Sequence, residues 1–76
     1  MTGDEFERAF RAFMKVRPFR PFIIEFVTGV RVELAHPENI ERHGDLFTCV
    51  GADHLRRIFT GASVCQVTAK PPSPEA

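Results

Sequence analysis

The sequence predicts an α+β chain that is mostly β: an amino-terminal α-helix, then a bent antiparallel sheet or small barrel of about five strands, and a disordered carboxy-terminal tail. Three observations predict this. Apolar residues recur at helical spacing through the opening of the chain. The segment Arg17-Pro18-Phe19-Arg20-Pro21-Phe22 then forbids helix, and from Phe22 the apolar period drops to two.

The helix starts at about Gly3. Thr2 followed by Glu5 fits a capping box, and Asp4 and Glu5 put negative charge where the helix dipole favours it. Phe6, Phe10, Phe13 and Met14 then follow at i, i+4, i+7 and i+8, which makes one face aromatic, while Glu7, Arg8, Arg11 and Lys15 take the other side. The i,i+4 pairs Asp4–Arg8 and Glu7–Arg11 contribute only about 0.2–0.5 kcal/mol each, so tertiary packing decides whether the helix persists. The two prolines each lack a backbone N–H and bias the preceding residue toward extended geometry, which ends the helix and starts a strand.

Phe22, Ile24 and Phe26, with Val30, Val32 and Leu34, read as a hairpin. A Val27-Thr28-Gly29 loop with Gly in the left-handed position makes a type I turn with a bulge. That register puts Phe26 opposite Val30, Ile24 opposite Val32 and Phe22 opposite Leu34 on one face, with Glu25 meeting Arg31 on the other. His36-Pro37-Glu38-Asn39-Ile40 suits a connection or one helical turn, ended by Gly44-Asp45. Leu46 to Val50 reads as a third strand, Gly51-Ala52-Asp53 as a turn and Leu55 to Thr60 as a fourth strand. A Gly61-Ala62-Ser63 bend then leads to a fifth strand, Val64 to Thr68. The proline-rich run from Lys70 neither pairs as a strand nor coils, so residues 1–69 form a single domain and 70–76 a disordered tail.

Bulk composition narrows the function. Seventy-six residues bury a modest core, so self-association would help stability. All eight aromatic residues are Phe, which favours packing over the wet recognition surfaces that Tyr and Trp serve. Lys plus Arg equals Asp plus Glu at ten each, so no overall basic field attracts nucleic acid or anionic lipid. The acidic amino terminus lacks the basic flank and apolar run of a leader, and no apolar segment reaches membrane-spanning length, so a cytoplasmic protein with no membrane partner is expected.

The chain resembles short uncharacterised bacterial proteins that carry an Arg-Pro-Phe segment before a strand, a Gly-containing hairpin and a His-Pro-Glu after the second strand. Here these are Arg20-Pro21-Phe22, Gly29 and His36-Pro37-Glu38, about a third of the chain. That family implies no agreed activity. The chain also resembles the Sm-like fold, an SH3-type small barrel behind an amino-terminal helix that typically closes into rings. Ile24 to Gly29 is similar to the alternating strand and turn glycine of the first Sm motif, and Phe59 to Val67 is similar to the second. Thr60 stands where the second motif has a basic residue, and Glu38-Asn39 poorly matches the acidic and Asn positions of the loop after the second strand. Those departures fall on RNA-contacting positions, so the resemblance implies shape and assembly more than RNA binding.

No cluster rises to a catalytic or metal signature. Cys49 and Cys65 sit in no CxxC pair and read as two buried thiols; His36, His43 and His54 match no ligand spacing and read as loop histidines; Ser63 after Gly61 lacks a nucleophile elbow. No cofactor is expected. The candidate interaction surface is Phe6, Phe10, Phe13, Arg17, Phe19, Arg20 and Phe22, which need a cover from the domain itself or from another subunit. Arg17 and Arg20 beside Phe19, with Arg56 and Arg57, are the candidate nucleic-acid contacts. Adjacent Arg56 and Arg57 must point to opposite faces of a strand, so unless this strand is an edge one of them enters a less solvated environment and needs an acidic partner, Glu25, Glu33 or Glu41, or a subunit interface. The expectation is a non-enzymatic, self-associating protein-interaction or regulatory module, a homo-oligomer. An Sm-like RNA-binding oligomer is the alternative, and a small His/Cys enzyme a second one.

Overall fold

The computed structural model describes residues 1–70 and consists of one helix followed by six antiparallel strands in two sheets. Helix α1 spans Gly3–Met14. Its capping box is complete: the Glu5 N–H donates to Thr2 Oγ1 at 3.0 Å and the Thr2 N–H donates to Glu5 Oε1 at 2.8 Å. At the far end the Lys15 N–H reaches the Arg11 carbonyl, and the Arg17 guanidinium donates to the Met14 carbonyl at 2.7 Å before Pro18 stops the helix. The aromatic face turns inward: Phe6 and Phe10 are buried, and Phe6 packs edge-on to Phe47 at 4.8 Å. Of the two expected helical ion pairs, Glu7 holds Arg11, but Asp4 pairs with Arg42 across the fold.

Strands β1 (Phe22–Phe26) and β2 (Arg31–Leu34) form the hairpin in the expected register, Phe22 opposite Leu34, Ile24 opposite Val32 and Glu25 opposite Arg31. Gly29 has φ +92°, and the Phe26 N–H donates to the Val30 carbonyl at 2.8 Å, as the bulged turn requires. Val30, placed on the inner face by that pairing, is 48 % exposed because the bulge twists the strand before β2 begins.

The third strand in the chain was hidden. A 3-10 turn, Pro37–Asn39, leads directly into β3 (Ile40–His43), where the sequence reads as a connection or helical turn, so there are six strands rather than about five. The inward position of β3 after Ile40 is Arg42, a charge that erases the apolar alternation. Asp4 and Glu7 of α1 make it tolerable there, accepting from its Nη1 at 3.0 and 2.7 Å, and its guanidinium lies 5.2 Å from the Phe47 ring.

Strands β4 (Leu46–Val50), β5 (Arg56–Thr60) and β6 (Val64–Ala69) stand within a residue or so of their expected bounds. One sheet has the order β2-β1-β6 and the other β3-β4-β5, and the 3-10 turn Gly61–Ser63 carries the chain between them. Phe22, Ile24, Leu34, Phe47, Cys49 and Val64 fill the space under α1. The expected disordered tail lies outside the described residues except for Lys70. That residue extends the ordered structure, its N–H on the Pro21 carbonyl and its Nζ on Glu33 at 3.0 Å. Among the described residues, no helix is long and apolar enough to cross a membrane.

Candidate interaction surface

The expected surface divides. Phe6, Phe10 and Phe22 are core residues, so they present nothing to a partner. Phe13 stacks on Phe22 at 5.3 Å and Phe19 meets Phe22 edge-on at 6.2 Å, so the helix itself covers the Pro-Phe junction, with Phe13 and Phe19 left half-buried. Arg20 is exposed, and Arg17, also exposed, is held on the Met14 and Val16 carbonyls.

The two strand arginines also part. Arg56 stands exposed on the outer face of β5. Arg57 turns to the less solvated side and is satisfied by Asp53 in a two-pronged contact at 3.2 and 3.0 Å, not by Glu25, Glu33 or Glu41. Asp53 comes from the tight turn before β5, where its carboxylate also accepts the Leu55 N–H and His54 adopts φ +65°. Hydrogen bonds from Arg57, then from that N–H, hold the Asp53 carboxyl below its usual range. Of the four candidate nucleic-acid arginines, Arg57 is therefore neutralised by a carboxylate, while Arg17 is held through one nitrogen by backbone carbonyls.

Cys49 is 1 % exposed, and burial pushes its thiol up to about 11, so it stays protonated at neutral pH. Cys65, expected to be buried, is exposed, because β6 turns Val64 inward and its neighbour outward. Ser63 Oγ donates to the Thr60 carbonyl at 2.7 Å and shapes the turn. His36, His43 and His54 are exposed, and among the described residues no group of three or more His, Cys, Asp or Glu is placed to hold a metal.

The strand of Arg56 and Arg57 is a sheet edge, the alternative that the arginine pair leaves open. Ile58 is 65 % exposed and Leu55 57 %, and a shallow groove beside β5 is lined by Phe26, Val30, Arg57, Ile58, Phe59 and Ser63. The Leu55 carbonyl accepts the Gly51 N–H on the β4 side. By strand alternation Arg57 and Phe59 then turn their backbone groups to β4, and Arg56, Ile58 and Thr60 turn theirs away. Among the described residues no backbone partner takes the outward groups of Arg56 and Ile58, while Ser63 Oγ takes the Thr60 carbonyl. Two other edges are partly covered: the Ala52 N–H sits on the Glu33 carbonyl of β2, and the Met1 ammonium on the Val64 carbonyl of β6 at 2.8 Å. The chain matches no protein-family model, no curated protein and no solved structure.

Proposed function

We propose that the chain is a non-enzymatic interaction module that pairs with a second copy of itself through the open edge of β5. The observation that carries this reading is the unpaired backbone of Arg56 and Ile58 beside an Ile58 side chain that is 65 % exposed. The edge is self-complementary in one register. An antiparallel two-fold centred on Ile58 sets the Ile58 side chains against each other, Arg56 opposite the second copy's Thr60, and Arg57 opposite the second copy's Phe59. A two-fold centred on Arg57 would set two guanidiniums face to face, and is disfavoured.

A five-residue edge buries less than the roughly 1,600 Å² of a standard interface, so the dimer is weak, with Kd on the order of 10 µM to 1 mM. Sedimentation across a concentration series tests it. The native chain is expected to shift toward the dimer mass, and Ile58→Lys, which sets two ammonium groups opposite each other, is expected to stay monomeric with an unchanged far-ultraviolet spectrum. A native chain that remains strictly monomeric at about 1 mM overturns the reading.

An Sm-like RNA-binding oligomer is the second reading. The leading helix and the 3-10 turn before the last strand support an Sm-like shape. The charge on β5 gives less support, because the outer face that carries Arg56 also carries Glu41. With no Tyr or Trp, the purified chain absorbs weakly in the near ultraviolet, so bound RNA would show as a clear 260 nm band. Salt-sensitive oligonucleotide binding lost on Arg20→Ala or Arg56→Ala would favour this reading over the first.

A further inference from the structure

Residues 8–21 contain Arg8, Arg11, Lys15, Arg17 and Arg20 and no acidic residue, half of the ten Lys and Arg in a chain whose formal net charge is zero. Arg8, Arg11 and Lys15 follow at i, i+3 and i+7, so they share one side of α1, and all three are exposed. Glu7 pairs with Arg11 at 2.8 Å and with Arg42 at 2.7 Å, and Glu38 and Glu41 line a separate groove that also touches Arg11 and Met14, whereas among the described residues no carboxylate pairs with Arg8, Lys15, Arg17 or Arg20. The guanidinium of Arg17 is fixed by its hydrogen bonds to the helix-end carbonyls of Met14 and Val16 while the residue stays exposed, so part of its ordering cost is already met.

Between these cations lies a recess. Met14 and Phe19 form its apolar floor and Arg11, Lys15 and Arg17 its rim, separate from the β5 edge. We infer that this end of α1 docks an acidic peptide segment that places one apolar side chain into the recess. The charge on the rim selects an anionic partner. The shape selects among anionic partners: a concave apolar floor takes a single side chain, whereas a membrane surface calls for a protruding apolar ridge. Phe19, half-buried and edge-on to Phe22, offers no open ring pair for stacking successive bases.

The probe is a short fluorescein-labelled peptide of Glu and Asp around one central Leu, followed by anisotropy against the full chain. Binding is expected to weaken about tenfold between about 50 and about 300 mM salt. It is expected to weaken by about tenfold or more when the Leu is replaced by Ser in the probe, a change that leaves the protein untouched. The double variant Lys15→Glu, Arg20→Glu alters two exposed side chains outside the core and is expected to lose binding while keeping its melting curve. Equal binding of the Ser peptide, undiminished binding by the double variant, or tighter binding of oligo-dT or phosphatidylserine vesicles at the same salt overturns the proposal.

Discussion

Replacing Gly61 by Ala probes the seam on which the helix rests. Gly61 is buried, and the start of α1 lies so close that an added Cβ would stand 2.6 Å from Gly3 Cα, 2.7 Å from Gly3 N and 2.9 Å from the Thr2 carbonyl carbon. Carbon atoms rest about 3.5–4.0 Å apart, so the first turn must withdraw by roughly 1 Å. All three neighbours are backbone, so no rotamer change relieves the clash. Withdrawal disturbs what the first turn fixes, the Phe6 ring in the core and the Met1 ammonium on the Val64 carbonyl. Overpacking of this kind costs about 1–3 kcal/mol, and the reduced freedom of the unfolded Ala chain returns about 0.4–1 kcal/mol. A net loss of about 1–2 kcal/mol lowers Tm by about 4–16 °C in a domain of this size. Urea and thermal unfolding measure the loss, and amide exchange locates it: protection should fall in α1. Gly29→Ala is the matched control, since Gly29 has φ +92° with nothing within 4 Å of an added Cβ. Its cost, about 1–2 kcal/mol of left-handed backbone strain, should leave α1 exchange unchanged. An unaltered Tm in Gly61→Ala, or a loss without faster exchange in α1, would refute the close-approach argument.

The two thiols should react on different clocks: a disulfide reagent modifies one equivalent promptly at Cys65 and the second, Cys49, only as the fold opens, so two prompt equivalents would contradict the burial of Cys49. Acid stability should follow Glu7 and Asp53. Hydrogen bonds from Arg11 and then Arg42 hold Glu7 below its ordinary 4.5, and the Arg57 contact holds Asp53 below 3.8. Protons therefore bind the unfolded chain more readily, and the stabilisation is complete above those ordinary values and is lost as pH falls through the lower folded ones. The urea midpoint should drop on acidification through this window, and Arg42→Gln should flatten the drop; an equal slope in the variant would remove Arg42 from the account.

Helix and hairpin were legible because each expresses its period in residues adjacent along the chain. Thr2 and Glu5 specify the cap, and Gly29 specifies the register of six apolar side chains. β3 was illegible because its inward Arg42 is neutralised by Asp4 and Glu7, whose positions depend on α1 being folded above it. Asp53 reads as a turn residue but not as the partner of Arg57, for a similar reason: the turn at His54 brings it back to Arg57. The aromatic stripe showed that Phe6, Phe10 and Phe22 need cover, but periodicity does not say whose. Cover comes from Phe13, Phe47 and Phe59 within the same chain. The adjacent Arg56 and Arg57 raise an edge as one alternative, but only the strand order decides it, because a local pattern does not say which strands lie alongside.

A domain this small must spend its largest side chains inside to offset the entropy of ordering. With the aromatic rings committed to one another, recognition falls to exposed strand edges, of which β5 carries the exposed Ile58, and to the cations at the end of α1. These differ in range. Strand pairing at β5 is short-ranged and directional, so salt should move it little, whereas attraction to the α1 end works over a Debye length of about 10 Å and should fade as salt rises. The proposed dimer and the acidic-peptide complex therefore separate on one axis. If self-association faded with salt in parallel with peptide binding, the basic end would be driving both, and the case for the β5 edge would fail even with Ile58 exposed.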